Sequence, residues 1–242
     1  MDRQPAILVV GAGDATGGAI ARRFAREGYV ACVSRRHADR LVPLVERIEA
    51  DGGRARAFGS DARREEEVEK LFATIEDEVG PLEVVVFNIG ANVIFPVRDT
   101  TTRVFTKVWE MACLAGFLVG REAARRMVPR RRGSILFTGA TASVRGRAGF
   151  SAFSSAKQGL RAVAQSMARE LGPEGIHVAH VVIDGAIDTE WIRENFPAAY
   201  ARKDRDGILS PDAIAEAYWN LHAQHRSAWT HELDLRPWME EW

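Results

Sequence analysis

The sequence predicts an α/β fold with a doubly wound parallel sheet of about seven strands and helices on both faces. Short apolar runs alternate with helical segments along the whole chain, as in successive βαβ units. The run Val84-Val85-Val86 is apolar at consecutive positions, which is typical of a strand buried on both faces of a parallel sheet. A glycine-rich turn follows the first run and opens a helix, as at a ligand-binding end of such a sheet.

The elements follow one another in a regular order. The predicted strands are short, mainly apolar runs at residues 6–10, 29–34, 55–58, 83–87, 134–137, 176–183 and 231–235. Predicted helices occupy residues 19–27, 37–51, 63–79, 103–127 and 151–171, and a last one begins at Ser210-Pro211-Asp212. Residues 63–79 illustrate the helical pattern, because Val68, Leu71, Phe72 and Ile75 fall on one face. Gly-Gly or Gly-Pro pairs end three of the helices.

Length and composition limit the protein to a few classes. Residues 1–242 suit a single α/β domain, and no linker or repeat is visible. Lys plus Arg and Asp plus Glu number 33 each, and this balance argues against nucleic-acid partners. The longest apolar stretch, residues 111–120, is too short to span a bilayer, and no signal peptide is visible, so we expect a cytoplasmic protein. Cys32 and Cys113 lie among apolar residues, which favours reduced core thiols over a disulfide or a metal site.

The glycine-rich turn carries the first candidate site. Gly11, Gly13, Thr16 and Gly17 lie between the first strand and its helix. Glycines at this place allow a tight turn and let a pyrophosphate approach the free N–H groups of the helix. The alternative is an ordinary glycine-rich turn. The context favours binding of a nicotinamide dinucleotide.

The end of the second strand bears on which dinucleotide is bound. Arg35 and Arg36 occupy the place where NAD-specific proteins usually carry a carboxylate for the ribose 2′-hydroxyl. An arginine fork suits a 2′-phosphate, so the sequence favours NADP over NAD. The alternative is that both arginines are solvated loop residues. Asp61, just after the third strand, is either a partner of the adenine amino group or the N-cap of the next helix.

Taken together, these motifs resemble the short-chain dehydrogenase/reductase family over nearly the whole chain. The family's glycine pattern is met at residues 10–17 with Val10 for its threonine and Ala15 for its middle glycine. Its Asn-Asn-Ala-Gly motif appears as Phe87-Asn-Ile-Gly90, and its Pro-Gly motif as Asp184-Gly185. The resemblance implies a Rossmann-type fold, a small-molecule substrate and a homodimer or homotetramer. It also assigns cofactor binding to Asn88, Gly90, Lys157, Gly185 and Thr189.

The family's catalytic positions, by contrast, are altered in this chain. The resemblance assigns the family's lysine to Lys157, which in relatives binds the nicotinamide ribose. The tyrosine that donates the proton corresponds to Phe153, the serine to Ala140, and the asparagine of the long helix to Ala112. Losing a positioned general acid typically lowers a rate by about 10²–10⁴. The resemblance therefore implies a divergent member without the usual proton donor.

Several other groups are candidates to supply the proton. Ser143 follows the missing serine, although loop hydroxyls more often bond the local backbone. Asp184 is either an acid–base group or the partner of an arginine such as Arg145. His180 and Tyr200 are weaker candidates, in a core strand and in the segment above the pocket.

The segment that follows strand six carries a separate expectation. Residues 186–209 contain Trp191, Ile192 and Phe196 among charged residues, and we expect them to form a lid over the substrate pocket.

Three functions remain open at this stage. The first is an NADP-dependent oxidoreductase, acting on a small carbonyl, alcohol or enone, with a non-standard proton donor such as Ser143, Asp184 or water. The second is a redox-silent relative that binds the cofactor as a regulator or partner subunit. The third is non-redox chemistry in the same pocket.

Overall fold

The computed structural model describes residues 3–240 and contains a seven-stranded parallel sheet. The order is β3-β2-β1-β4-β5-β6-β7, and it reverses between β1 and β4. The strands are β1 (Ala6–Val10), β2 (Val30–Arg35), β3 (Arg54–Gly59), β4 (Leu82–Phe87), β5 (Ser134–Thr138), β6 (His177–Ile183) and β7 (Glu232–Leu235). The predicted α/β fold class is confirmed. The terminal residues 1–2 and 241–242 of the predicted domain lie outside the described residues.

Helices cover both faces of the sheet. They are α1 (Thr16–Arg26), α2 (Val42–Ala50), α3 (Glu65–Glu78), α4 (Thr102–Trp109), α5 (Ala115–Met127), α6 (Ser151–Leu171), α7 (Glu190–Asn195), α8 (Pro197–Tyr200) and α9 (Pro211–His222). Helices α1, α2 and α9 pack on one face, against Ile7 and Val9 of β1. Helices α3, α5 and α6 pack on the other face, against Leu8 and Val10 of the same strand. Alternate residues of one strand thus enter two separate cores, as the pleat requires.

The long helix predicted at residues 103–127 is interrupted, which corrects the sequence-based expectation. Residues Glu110–Leu114 form a π-helical segment between α4 and α5. The segment turns Ala112 and Cys113 inward, where both are buried against α6. A Cβ added at Gly159 of α6 would lie 2.9 Å from the Cys113 Sγ. This close packing is a tertiary effect, so the helical pattern of the sequence did not reveal it.

The segment 186–209 is a compact excursion whose two ends meet. Ile187 and Leu209 form an isolated parallel bridge, and the Leu209 N–H donates to the Ala186 carbonyl at 2.8 Å. Between these ends lie α7 and α8. The segment is therefore partly helical, and its base is closed.

The described residues bear on two further expectations. Cys32 and Cys113 are both buried and free of a disulfide. Burial raises the pKa of the Cys32 thiol to about 12. Within residues 3–240, no helix is both long and apolar enough to cross a membrane.

Candidate functional site

Two adjoining cavities open at the carboxyl ends of the strands, on both sides of the point where the strand order reverses. The main cleft, of about 680 Å³, extends from the glycine loop (residues 11–17) to Trp191 and Ile192. The side cavity, of about 420 Å³, extends from the same loop to the ends of β2 and β3. Both are lined by Gly11, Gly13 and Asn88. Ligands of doubly wound sheets bind at such a place.

The backbone geometry of the glycine loop accounts for its glycines. Gly11 has a φ of 85°, and a Cβ there would lie 2.9 Å from the Ile89 Cγ1. A Cβ at Gly17 would lie 2.9 Å from the Ala12 Cα, whereas one at Gly13 would meet nothing within 4 Å. The Gly13 backbone therefore borders open space. A pyrophosphate at the start of α1, where Thr16 opens the helix, fits this space.

Asn88 fixes the loop from the neighbouring strand. Its Nδ2 donates to the Gly11 carbonyl at 3.1 Å, and its backbone N–H donates to the Val10 carbonyl at 2.8 Å. Gly90 follows two residues later and lines both cavities. The predicted motif after β4 is thus brought to the glycine loop.

Arginines dominate the side cavity. Arg35 and Arg36 both line it, and within residues 3–240 neither forms a salt bridge. The Asp61 carboxylate accepts from the Arg63 side chain at 2.9 Å and from the Arg63 backbone N–H at 3.2 Å. These bonds hold the pKa of Asp61 below its usual range. Arg64, and not Asp61, is the N-cap residue of α3, so the N-cap alternative for Asp61 is wrong.

Lys157 lies at the floor of the main cleft. It is 2% exposed, and its Nζ donates to the Thr138 carbonyl at 2.8 Å and to the Ile89 carbonyl at 3.1 Å. Burial lowers the pKa of this ammonium to about 8. The lysine is thus a nearly dry cation between the ends of β4 and β5.

Lys157 belongs to one face of α6 that lines the cleft. The residues at 150, 153, 154 and 157 share this face, as their helical spacing requires. Ser154 among them is 6% exposed, and its Oγ has no hydrogen-bond partner among the described residues. Sequence reasoning missed Ser154. The i, i+3, i+4, i+7 spacing that ends at Lys157 was the signal that indicated it.

Phe153 lies in an apolar wall of the main cleft, formed by Ala140, Ala142, Phe150 and Phe153. Behind this wall is a third core cluster that contains Phe153 and also Ala112, Cys113 and Ala156. Ala140 packs against the same cluster. The three residues at 112, 140 and 153 are therefore one continuous apolar contact region, although they come from three distant parts of the chain.

Two expected proton donors do not line the main cleft, which corrects the sequence-based reasoning. Ser143 is 1% exposed, and its Oγ accepts from the Ala140 N–H at 3.1 Å, so the hydroxyl serves its own loop. Asp184 is also 1% exposed and accepts from Thr141 Oγ1 at 2.6 Å and Arg145 Nη2 at 3.1 Å. Of its two open alternatives, the ion pair is the one that the structure contains.

The weaker candidates also lie outside the cleft. His180 is fully buried in β6, and its Nδ1 is 3.0 Å from the Glu232 Oε2. Burial lowers the pKa of His180 to about 4, so the ring is neutral near pH 7. Tyr200 lies near Lys203, with its hydroxyl 3.4 Å from the Nζ.

Gly185 and Thr189 line the main cleft on the β6 side. Gly185 has a φ of 153°, and a Cβ there would lie 2.7 Å from the Pro237 Cδ. Thr189 is the N-cap of α7, since its Oγ1 accepts from the Ile192 N–H at 3.1 Å. Both residues line the main cleft. The two cavities thus join a glycine-lined turn, a pair of arginines and a buried lysine, and a dinucleotide fits this set of groups.

The comparisons with known proteins agree with this geometry. Residues 5–199 match the sequence profile described as short chain dehydrogenase. The chain belongs to the short-chain dehydrogenase/reductase family. The family resemblance predicted from the motifs is confirmed, and the protein is an oxidoreductase of this type, with a nicotinamide dinucleotide as the family's cofactor.

Individual members of the family are similar over most of the chain. The 3-oxoacyl-(acyl-carrier-protein) reductase MabA of Mycobacterium avium is 33% identical over 190 residues, which are 77% of this chain and 69% of that protein. The crystal structure of a short-chain dehydrogenase from Rhodopseudomonas palustris is 50% identical, with a TM-score of 0.84, over 98% of this chain and 100% of that one. A metagenomic short-chain oxidoreductase in complex with NADP, 22% identical over 99% of both chains, shares the fold with a TM-score of 0.83.

Proposed function

We propose that the protein is an NADP-dependent oxidoreductase of the short-chain type that acts on a small carbonyl, alcohol or enone with a non-standard proton donor. The observation that carries this proposal is the continuity of the two cavities through the glycine loop, from Arg35 and Arg36 to the buried Lys157. A dinucleotide laid along this path has its adenosine end at the arginines and its nicotinamide end at the lysine. The NADP in the complex of the metagenomic relative is consistent with this choice of cofactor.

Each part of the chain has a defined task in this scheme. The glycine loop and the start of α1 receive the pyrophosphate, because free N–H groups favour anions. Arg35 and Arg36 pair with the 2′-phosphate, and Lys157 binds the nicotinamide ribose. Thr189 borders the nicotinamide end from the β6 side. When bound in its reduced form, the cofactor supplies a hydride to the substrate carbon.

The proton for the substrate oxygen needs a different source from the family's tyrosine. The Phe153 side chain carries no exchangeable proton, and Ser143 and Asp184 do not line the cleft. We assign the donor role to the Ser154 hydroxyl, with Lys157 one turn further along the same helix face as the proton reservoir. The hydroxyl would give its proton to the forming alkoxide and regain one from the ammonium through an intervening water, because the Ser154 Oγ has no hydrogen bond to the Nζ. The pKa of Lys157, about 8, lies in the range useful for such an exchange.

The experiment compares two adjacent serines. Ser154→Ala removes the hydroxyl that has no hydrogen-bond partner among the described residues. Ser155→Ala is the matched control, because the Ser155 Oγ donates to the Ala152 carbonyl and Ser155 does not line the cleft. NADPH oxidation is measured with a panel of ketones and enones, and NADPH binding is measured separately. We expect Ser154→Ala to lower kcat by about 10²-fold with unchanged NADPH affinity, and Ser155→Ala to behave as the native protein.

Two outcomes would contradict the proposal. Equal rates for both serine variants would refute the role of Ser154 and leave water as the donor. Tight NADPH binding without turnover on any substrate would favour the redox-silent alternative, for which the comparisons give no support.

We also infer that residues 186–209 act as a lid, since Trp191 and Ile192 line the cleft and the segment has a closed base. Deleting α7 and α8 should increase KM more than it changes NADPH affinity. The homodimer or homotetramer and the cytoplasmic location stay predictions.

A further inference from the structure

Two arginines line the substrate half of the main cleft. Arg145 and Arg147 lie in the loop between β5 and α6, which also contributes Phe150 to the apolar wall. Trp191 and Ile192 line the same cleft from α7. The substrate half is therefore an apolar space with two guanidinium groups beside it.

Arg145 is held in place from below. Its Nη2 donates to the Asp184 Oδ1 at 3.1 Å, and the same carboxylate oxygen accepts from Thr141 Oγ1 at 2.6 Å. Asp184 also lies 3.6 Å from the Arg236 Nη2, and Arg236 pairs in turn with Asp234. The Arg145 side chain remains 39% exposed, and its Nε and Nη1 have no hydrogen-bond partner among the described residues. The buried carboxylate thus orients this guanidinium through one N–H group, Nη2, and leaves the rest of the fork for a ligand.

Arg147 has no neutralising partner among the described residues. It is exposed, lines the cleft and forms no salt bridge within residues 3–240. Of the described residues that line the cleft, only Asp14 carries a carboxylate, and it lies on the glycine loop. The substrate half itself has no lining carboxylate in the described part of the chain.

The cofactor does not account for these cations. In the sheet order, β4 separates β1 from β5, so the glycine loop and the arginine loop start from strands about 10 Å apart. The pyrophosphate belongs to the first of these loops. The two arginines are therefore available to another anion.

We propose that Arg145 and Arg147 bind the carboxylate of a substrate whose remaining part is apolar. A carboxylate matches the planar guanidinium fork, and the apolar wall accommodates an aromatic or alkyl body. This inference rests on the proposed function only in that both use the same cleft.

The test measures binding and not turnover. The probes are 4-acetylbenzoate and its methyl ester, which share the ring and the ketone and differ in charge. Calorimetry on the full chain, with and without NADP, gives the affinity of each. We expect the acid to bind about tenfold more tightly than the ester, and added salt to weaken only the acid.

Arg147→Gln is the deciding variant, because Arg145→Gln would remove the nearer of the two cations that pair with the buried Asp184 and would destabilise the fold. Arg147→Gln should reduce acid binding about tenfold and leave the ester unchanged. Arg54→Gln is the matched control, since Arg54 is an exposed arginine of β3 that lines neither cavity. It should change neither affinity.

Equal affinities for acid and ester, or equal losses of both in Arg147→Gln, would overturn the proposal, as would failure of both probes to bind. Selective acid binding without ketone reduction would support the carboxylate site and contradict the proposed reductase. Reduction of the ester without any preference for the acid would support the proposed reductase and contradict the carboxylate site.

Discussion

The two sides of the main cleft differ in how their residues are satisfied. On the glycine-loop side, Asn88 and Lys157 are polar groups bonded to backbone carbonyls of neighbouring strand ends. On the other side, the apolar wall joins a core cluster that includes Ala112 and Phe153. The first side is built to present charge and donors to a ligand. The second side is mainly apolar, and Ser154 adds a hydroxyl to the helix face that carries Phe153.

The glycine-loop side and the apolar-wall side of the site are therefore structurally separable. The contacts that hold the glycine loop and Lys157 involve backbone carbonyls at or just beyond the ends of β1, β4 and β5 and do not pass through Phe153. Changes in the apolar wall therefore leave the other side intact. Four predictions test this separation, in order of decreasing effect.

Restoring polarity to the apolar wall is expected to have the largest effect. Phe153→Tyr combined with Ala140→Ser should raise the rate of ketone reduction by about 10²–10⁴, because it supplies a general acid in the cleft. The rate is measured as NADPH oxidation. Phe150→Tyr is the control, since it adds a hydroxyl to the same face one turn earlier. An increase of the same size in Phe150→Tyr would show that the position of the hydroxyl is unimportant.

The second prediction concerns the charge of Lys157. Its pKa is about 8 in the folded protein and 10.5 for an ordinary solvated lysine, so between these values the unfolded chain binds a proton that the native chain lacks. The stability of the native protein relative to Lys157→Met should therefore rise with pH from about 8 to 10.5, by at most about 3 kcal/mol. Below pH 8 the difference should be flat. Denaturant titrations of both proteins across this range measure it, and a difference that falls with pH would contradict the assignment.

The third prediction separates close packing from ligand contact in the glycine loop. Gly17→Ala should lower the free energy of unfolding by about 1–3 kcal/mol, because its Cβ would lie 2.9 Å from the Ala12 Cα. Gly13→Ala should leave stability unchanged, because nothing lies within 4 Å, but should weaken NADPH binding about tenfold. Thermal unfolding and fluorescence titration measure the two effects. Undiminished NADPH binding by Gly13→Ala would argue against a pyrophosphate at this loop.

The smallest effect is expected at the side cavity. Arg36→Gln should weaken NADPH binding by up to about tenfold and leave NADH binding unchanged, because only NADPH carries the 2′-phosphate. Arg64→Gln serves as control, since Arg64 does not line the cavity. If NADPH and NADH lost affinity equally in Arg36→Gln, the basis for the choice of NADP would be removed.

Much of this site was accessible from the sequence, because strand ends and glycine turns are local features. Gly11, Asn88 and Lys157 each follow or face a strand that apolar runs identify, and a parallel sheet brings those ends to one edge. The direction of a loop side chain is different. Ser143 and Asp184 turn inward because particular partners, the Ala140 N–H and the Thr141 hydroxyl, lie there. The sequence offered such bonds only as alternatives, because no spacing rule decides which way a loop side chain turns.

The same limit applies to the fold. The residues of 103–127 favour a helix throughout, so nothing local indicated the π segment. The π segment packs against α6, and this contact joins residues more than forty positions apart in the chain, such as Cys113 and Gly159.

The π segment also determines which face of α4 and which face of α5 point toward the interior. A residue added to an α-helix turns everything beyond it by roughly 100° about the axis. Val108 in α4 faces the third cluster beside Phe153, whereas Val119 and Ala123 in α5 face the core beneath the sheet. In an uninterrupted helix Val108 and Val119, eleven residues apart, would lie on nearly the same face and would not point to two different clusters. Deleting one residue from Glu110–Leu114 would therefore rotate α4 out of its contact and open the apolar wall from behind, while the glycine loop kept its shape.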